Sequence, residues 1–215
     1  MTTPEHTLVG IHAAIALGAY TRFGWKVVVL AGVASNLPDW DGLPMLFDMA
    51  RFEAGHRVWG HNLFSIAMLS VVVAWVESRY RWIESLALRL QKSLPKDASI
   101  ERQDASIERP TRAVSFAGLC MVCSTAQIIH LPCDMVVSGG SGLSDWYIKP
   151  FWPLSDVGYV FPMIPWGDIG PTLILMGGAI VLAKFPNRLA PKSMATLAML
   201  CIYLLLRGWI RGIHG

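Results

Sequence analysis

Apolar residues fall into five or six segments divided by short polar or basic stretches. The first two, residues 8–20 and 27–37, are each shorter than the ~20 residues that cross a bilayer squarely. They predict a helical hairpin, tilted or partly inserted, that turns at Thr21-Arg22-Phe23-Gly24-Trp25-Lys26. Residues 63–76 form a third segment, and a polar, basic stretch over 77–112 follows as the longest soluble loop. Residues 113–137 make the next long apolar run. Residues 138–168 are rich in Gly, Pro, Trp and Asp and read as an ordered but irregular loop, and runs at 169–185 and 194–206 complete the chain. The pattern predicts an all-α, polytopic helical membrane protein with about four to six apolar helices, forming one domain over 1–215. The loop over 77–112 contains a tandem heptad, Asp97-Ala-Ser-Ile-Glu-Arg-Gln then Asp104-Ala-Ser-Ile-Glu-Arg-Pro. Two copies are too few for a coiled coil that is stable alone, so the repeat reads as a duplication in a tolerant loop.

Composition strengthens the membrane assignment. Hydrophobic residues make up 53% of the 215 and charged residues 15%, against about 25% charged in soluble domains. The net charge of +3 does not point to nucleic acid, because the basic residues cluster in loops bordering the apolar runs, as cytoplasmic anchors do. Arg79, Arg81, Arg89, Lys92, Lys96, Arg102, Arg109 and Arg112 make the 77–112 loop cytoplasmic by the positive-inside rule; Arg22 and Lys26 share that side, as do Lys184, Arg188 and Lys192. The start of the chain, residues 38–62 and the loop after Asp134 then face the other way. Arg207 and Arg211 break the pattern. The first residues lack a basic region and a small-residue cleavage site, so no signal peptide is expected. Four cysteines, with Cys120 and Cys123 inside an apolar run, are too few for a disulfide framework and read as small residues on a buried helix.

The candidate chemistry sits at the ends of the apolar segments. Glu5-His6, Leu37-Pro38-Asp39-Trp40-Asp41, Gly55-His56-Arg57-Val58-Trp59-Gly60-His61-Asn62 and His130-Leu131-Pro132-Cys133-Asp134 all fall on the non-cytoplasmic side of the topology just derived. Ionisable groups near hydrocarbon are costly and usually face a cavity or each other, and a divalent cation can offset several carboxylates and imidazoles together. Such a His and Asp set suits zinc first, with manganese or iron as alternatives, over calcium, which prefers oxygen alone. His130 and Asp134 at i and i+4 share a helical face, although Pro132 between them suggests that they flank a helix break. His56 and His61 converge more easily if His56 lies in the loop before the helix. His12, inside the first apolar run, reads as structural or as support for a ligand, and the terminal His214 as irrelevant.

Taken in order, these motifs resemble the YdjM-like family of inner-membrane, metal-dependent hydrolases. Its pattern is a His near the start, a Leu-Pro-Asp-x-Asp turn, a His-Arg-x-x-x-His element opening a membrane helix, and a His-x-x-x-Asp followed by a Gly-containing loop and Trp-Pro. The matching positions are His6, Leu37 to Asp41, His56 to His61, and His130 to Asp134 with Trp152-Pro153, so the resemblance spans residues 6 to about 153. Gly42 stands where the family often has another His; Gly60 and Asn62 stand where it has Thr and Ser. Resemblance to this family implies a bacterial-type inner-membrane location; the family is distantly similar to zinc-dependent phospholipases C and P1-type nucleases, which implies a phosphoester substrate, with a membrane lipid the natural candidate.

The expected activity is hydrolysis of a phosphoester, a lipid head group or another small phosphoester, by metal-activated water. His6, His56, His61, His130 and Asp134 are the expected ligands, with Asp39 and Asp41 as a ligand and a general base in either order, and Arg57 as a phosphate-binding group or an interfacial anchor. Two alternatives stand beside it: a metal-binding or transport protein without turnover, and a scaffold with a degenerate site. Transport needs polar residues deeper in the bundle, where Ser70, Ser115, Ser124, Thr125 and Gln127 are available.

Overall fold

The structure, a computed structural model, describes residues 1–83, 85, 113–139 and 146–211. The tandem heptad, most of the loop expected over 77–112, and His214 lie outside these residues. Helix α1 (Thr3–Ala16) starts at a capping box, in which Glu5 Oε2 accepts from the Thr2 N–H at 2.8 Å. Gly18 and Gly24, at φ +78° and +80°, let the chain reverse around the short α2 (Ala19–Phe23) into α3 (Trp25–Ala34). A 3-10 helix (Leu37–Leu46) and α4 (Met49–Gly55) carry the chain across the end of the bundle. Three longer or apolar helices follow, each with a side chain on its first turn: Asn62 caps α5 (Leu63–Tyr80), Ser115 caps α6 (Phe116–Met135) and Asp168 caps α7 (Ile169–Lys184). Helix α8 (Leu189–Ile210) ends the described chain. There is no strand among the described residues, only one bridge between Ile148 and Tyr159 in the irregular loop.

Helices α5, α6 and α8 are long and apolar enough to cross a membrane. Side chains such as Phe64, Met68, Met121, Met199 and Leu205 are exposed along them, as lipid contact requires. Helix α1 lies inside this sheath, touching α3, α6, α7 and α8, while α3 packs on α1 and α6, α5 packs on α6, and α7 pairs with α8. That location explains why α1 and α3 are short, since a helix enclosed by others need not match the bilayer thickness. Small residues bring the two together. A Cβ on Gly10 would lie 2.8 Å from the Ala31 carbonyl, and one on Gly32 would lie 2.9 Å from Ile11.

Chain direction alternates through the bundle, so the starts of α1, α5 and α7 and the ends of α3, α6 and α8 share one end. Arg22, Lys26, Arg79, Arg81, Lys184, Arg188 and Lys192 occupy the opposite end. Arg207, which broke the charge pattern, is neutralised: its Nη2 lies 3.0 Å from Asp168 Oδ2, while the Tyr203 hydroxyl donates to Oδ1 at 2.6 Å. Helix α6 also continues through Pro132 to Met135 rather than breaking there. The proline sits in the last turn, where its missing N–H removes a single ladder bond.

Candidate metal centre

Four elements each bring polar groups to the end of the bundle where α1, α5 and α7 start. The 3-10 helix contributes Asp39 and Asp41, the turn before α5 contributes Arg57 and His61, α6 contributes His130 and Asp134 one turn apart, and α1 contributes His6. Asp39, His61, His130 and Asp134 each offer one ligand atom, all within 4.8 Å of one another. His61 Nε2 is 3.0 Å from His130 Nε2, 3.2 Å from Asp134 Oδ2 and 3.6 Å from Asp39 Oδ1. His130 Nε2 is 3.5 Å from Asp134 Oδ2 and 3.4 Å from Asp39 Oδ1. A tetrahedral zinc with N and O ligands at about 2.0–2.2 Å has donor-to-donor edges of about 3.3–3.6 Å, close to this set.

The opposite ring nitrogens decide what faces the centre. His130 Nδ1 donates to the Ser35 carbonyl at 2.7 Å, and His61 Nδ1 donates to Asp41 Oδ2 at 3.0 Å. When the rings are neutral, each Nε2 therefore presents a lone pair inward. Two lone pairs 3.0 Å apart, beside two carboxylates, repel unless a proton or a cation stands between them. Burial opposes charge on His61, but its hydrogen bonds to Asp134 and Asp41 push its pKa up to about 9. A positive charge is thus favoured at the point where the four donors meet, and the residues fit a divalent cation.

The remaining residues surround this quartet. Asp41 is fully buried and holds three partners: His56 Nδ1 at 3.2 Å on Oδ1, with the Gly60 N–H at 2.9 Å and His61 Nδ1 at 3.0 Å on Oδ2. Burial alone would raise its pKa, yet the hydrogen bonds from His56 and His61 bring it down to about 2. Asp39, 30% exposed at its side chain, is likewise held low against burial by His130. His56 caps the end of α4 and meets Asp41 rather than the quartet; its ring lies against Phe52 and Trp146. His6 stacks on His130 with ring centroids 3.7 Å apart and places Nε2 3.0 Å from Asp134 Oδ1. The Met1 amino group reaches the same oxygen at 2.5 Å. Arg57 is buried at φ +61°, with Nε 3.5 Å from Asp134 Oδ2, a hydrogen bond to Ser138 Oγ, and its Cζ 5.7 Å from the Trp146 ring centre.

Among the expected ligands, then, His61, His130, Asp134 and Asp39 come together, Asp41 and His6 stand directly behind them, and His56 lies behind Asp41. Ser35, Ser138 and Trp146 were not legible as site residues. Ser35 acts through a main-chain carbonyl, which has no signature in sequence. His12 lies apart, between α1, α7 and α8.

The sequence profile of the YdjM inner membrane protein family matches residues 1–213. The chain belongs to that family. The YdjM match runs past residue 153 to take in α7 and α8, the helices whose Asp168, Tyr203 and Arg207 tie down the same end of the bundle. No curated protein and no solved structure matches the chain. Gly42 and Gly60 differ in the space around them. A Cβ on Gly60 would lie 1.8 Å from the Pro38 carbonyl oxygen, so glycine is what lets the two site turns meet and the Gly60 N–H reach Asp41. A Cβ on Gly42 would lie 3.9 Å from His56 Nδ1, in ordinary contact.

Proposed function

We propose that this protein is a membrane-bound, metal-dependent hydrolase of phosphoesters, with a lipid head group as its substrate and zinc as its first-choice metal. The observation that carries the reading is the convergence of two imidazole lone pairs and two carboxylates from three separate elements, each imidazole fixed from behind. The choice of reaction class rests on the resemblance of the His and Asp motifs to those of helical phosphoester-cleaving enzymes. A bound divalent cation provides Lewis acidity for the phosphoryl oxygens and lowers the pKa of water toward ~7.

The chain's own residues divide the remaining work. His61, His130 and Asp134 are buried on or beside α5 and α6 and form the rigid part of the ligand set. Asp39, the most exposed of the four, lies on the solvent side, where its carboxylate would accept the proton that an attacking water gives up. Asp41 and the Ser35 carbonyl fix the two imidazole tautomers. Arg57 holds Asp134 and sets a positive charge beside the centre for the phosphate. With the cationic end of the bundle in the cytoplasm, the site faces the non-cytoplasmic side of the inner membrane.

A second reading has its own support. Four protein donors at tetrahedral spacing resemble a closed, non-catalytic site, which suits metal binding or transport without turnover. Elemental analysis of detergent-purified protein, alongside phosphate and head-group release from a lipid panel, separates the two. The hydrolase reading expects bound metal and turnover in wild type, both lost in His130→Ala and Asp134→Ala, with Asp39→Asn keeping metal but losing turnover. Metal-free wild type overturns the site; metal-loaded protein inert on every lipid favours the second reading.

A further inference from the structure

Outside the spanning helices, large apolar side chains are exposed in two stretches of the site end: Leu43 (56% exposed), Met45, Leu46 (74%), Phe47 (77%) and Met49 in one, and Phe151, Leu154, Phe161 and Trp166 in the irregular loop. The first stretch links Asp39 and Asp41 to His56 and His61, so it is part of the same loop that builds the centre. Soluble surfaces rarely expose a continuous apolar patch of this kind. Below it, the 3-10 helix and α4 border an open groove of about 510 Å³, lined by Pro44, Phe47, Ala50, Ala54 and Trp59 and flanked by Asp48 and Arg51. Those two charges pair at 3.1 Å, so the groove offers no net charge to a polar ligand. Trp59 stands just before α5, whose first residues Leu63 and Phe64 are themselves exposed, and the 3-10 helix touches α5. The apolar rim is therefore continuous with the lipid-facing surface of a membrane-spanning helix.

We propose that residues 43–49 are submerged in the leaflet bordering the site and that the groove between the 3-10 helix and α4 holds an acyl chain of a bilayer lipid. The apolar side chains enter the head-group and acyl boundary as an interfacial segment does. The groove takes hydrocarbon because its walls are apolar and its flanking charges cancel. Submersion does not depend on the site being hydrolytic. Only the corollary, that the substrate is an amphiphile presented from the bilayer rather than from water, rests on that reading.

The test uses the full chain in phosphatidylethanolamine and phosphatidylglycerol vesicles doped with a phospholipid carrying a photoactivatable diazirine in its acyl chain. Adducts are mapped by mass spectrometry after illumination. The expected result is labelling within residues 43–59 as well as on the exposed face of α5. Phe47→Glu with Ala54→Glu is expected to reduce labelling of residues 43–59 by about tenfold, because a carboxylate is costly in hydrocarbon. Labelling on α5 and metal content persist and report folding. Labelling of α5 without residues 43–59 overturns the proposal. Labelling at 43–59 in a protein that turns over no lipid supports the proposal while removing the hydrolase reading.

Discussion

Two histidine settings, both withdrawn from solvent, sit in this bundle and differ in their hydrogen-bond accounts. His12 faces Leu175 O with Nε2 at 3.2 Å and Ser193 Oγ with Nδ1 at 3.3 Å. One nitrogen donates to the carbonyl and the other accepts from the hydroxyl, so a neutral ring is satisfied by the protein alone. His61 and His130 each donate through Nδ1, and their Nε2 atoms meet each other and two carboxylates, none of which is a donor to a neutral ring. Burial is the same in the two settings; the unspent lone pairs are not. A buried imidazole becomes evidence for a ligand only when its second nitrogen has no protein donor to accept from.

The sharpest way to break this contrast is to delete a converging donor. His61→Ala or His130→Ala is expected to weaken metal binding by more than about 100-fold, beyond the effect of losing a supporting residue, while His12→Gln leaves it unchanged. Chelator competition on purified protein reads both, and equal losses at His12 and His61 would erase the distinction. Asp41→Asn removes the carboxylate that orients His61 and is expected to reduce metal affinity by about 10–100-fold, measured in the same competition. Gly60→Ala should destabilise the metal-free protein by about 1–3 kcal/mol through overpacking against Pro38. Unfolding in detergent measures it, and an unchanged midpoint would show that the two site turns are not in contact.

The structural setting should respond in stability rather than in metal content. His12→Leu leaves Leu175 O and Ser193 Oγ without the ring and is expected to cost about 1–3 kcal/mol, with metal binding intact. The smallest effect concerns Asp168. Burial opposes its charge, but Tyr203, the Gly170 N–H and Arg207 hold its carboxyl below the ordinary value. A lowered folded pKa contributes stability above the unfolded value of ~3.9 that disappears as pH falls through the folded value. Asp168→Asn should therefore unfold at a lower temperature than wild type near neutral pH, with the gap closing in acid.

Much of the architecture was legible in the sequence. The apolar runs at 63–76, 113–137, 169–185 and 194–206 each fall on a helix, because in lipid every backbone group must be satisfied within its own segment. The enclosure of α1 and α3 was not legible, since short apolar runs look the same inside a bundle as at its edge. Within the site, the motifs located the participants but not their tiers. Asp39 and Asp41 are two residues apart in one turn, yet one reaches the centre while the other reaches behind His61. The difference depends on how the turn meets residues 60 and 61, which is a tertiary fact. Arg207 looked anomalous because its partner, Asp168, lies on a different helix, 39 residues away.

The order in which the centre's parts emerge during synthesis gives the chain's layout a further meaning. Asp39 and His61 leave the ribosome well before His130 and Asp134, with α5 and the basic loop between them. The first two donors wait in the membrane as an open half-site, and only the arrival of α6 brings the other two alongside. A cation held by all four donors would therefore be captured only once α6 is in place, whereas the contacts of Asp41 with His56 and His61 lie wholly within the earlier part of the chain.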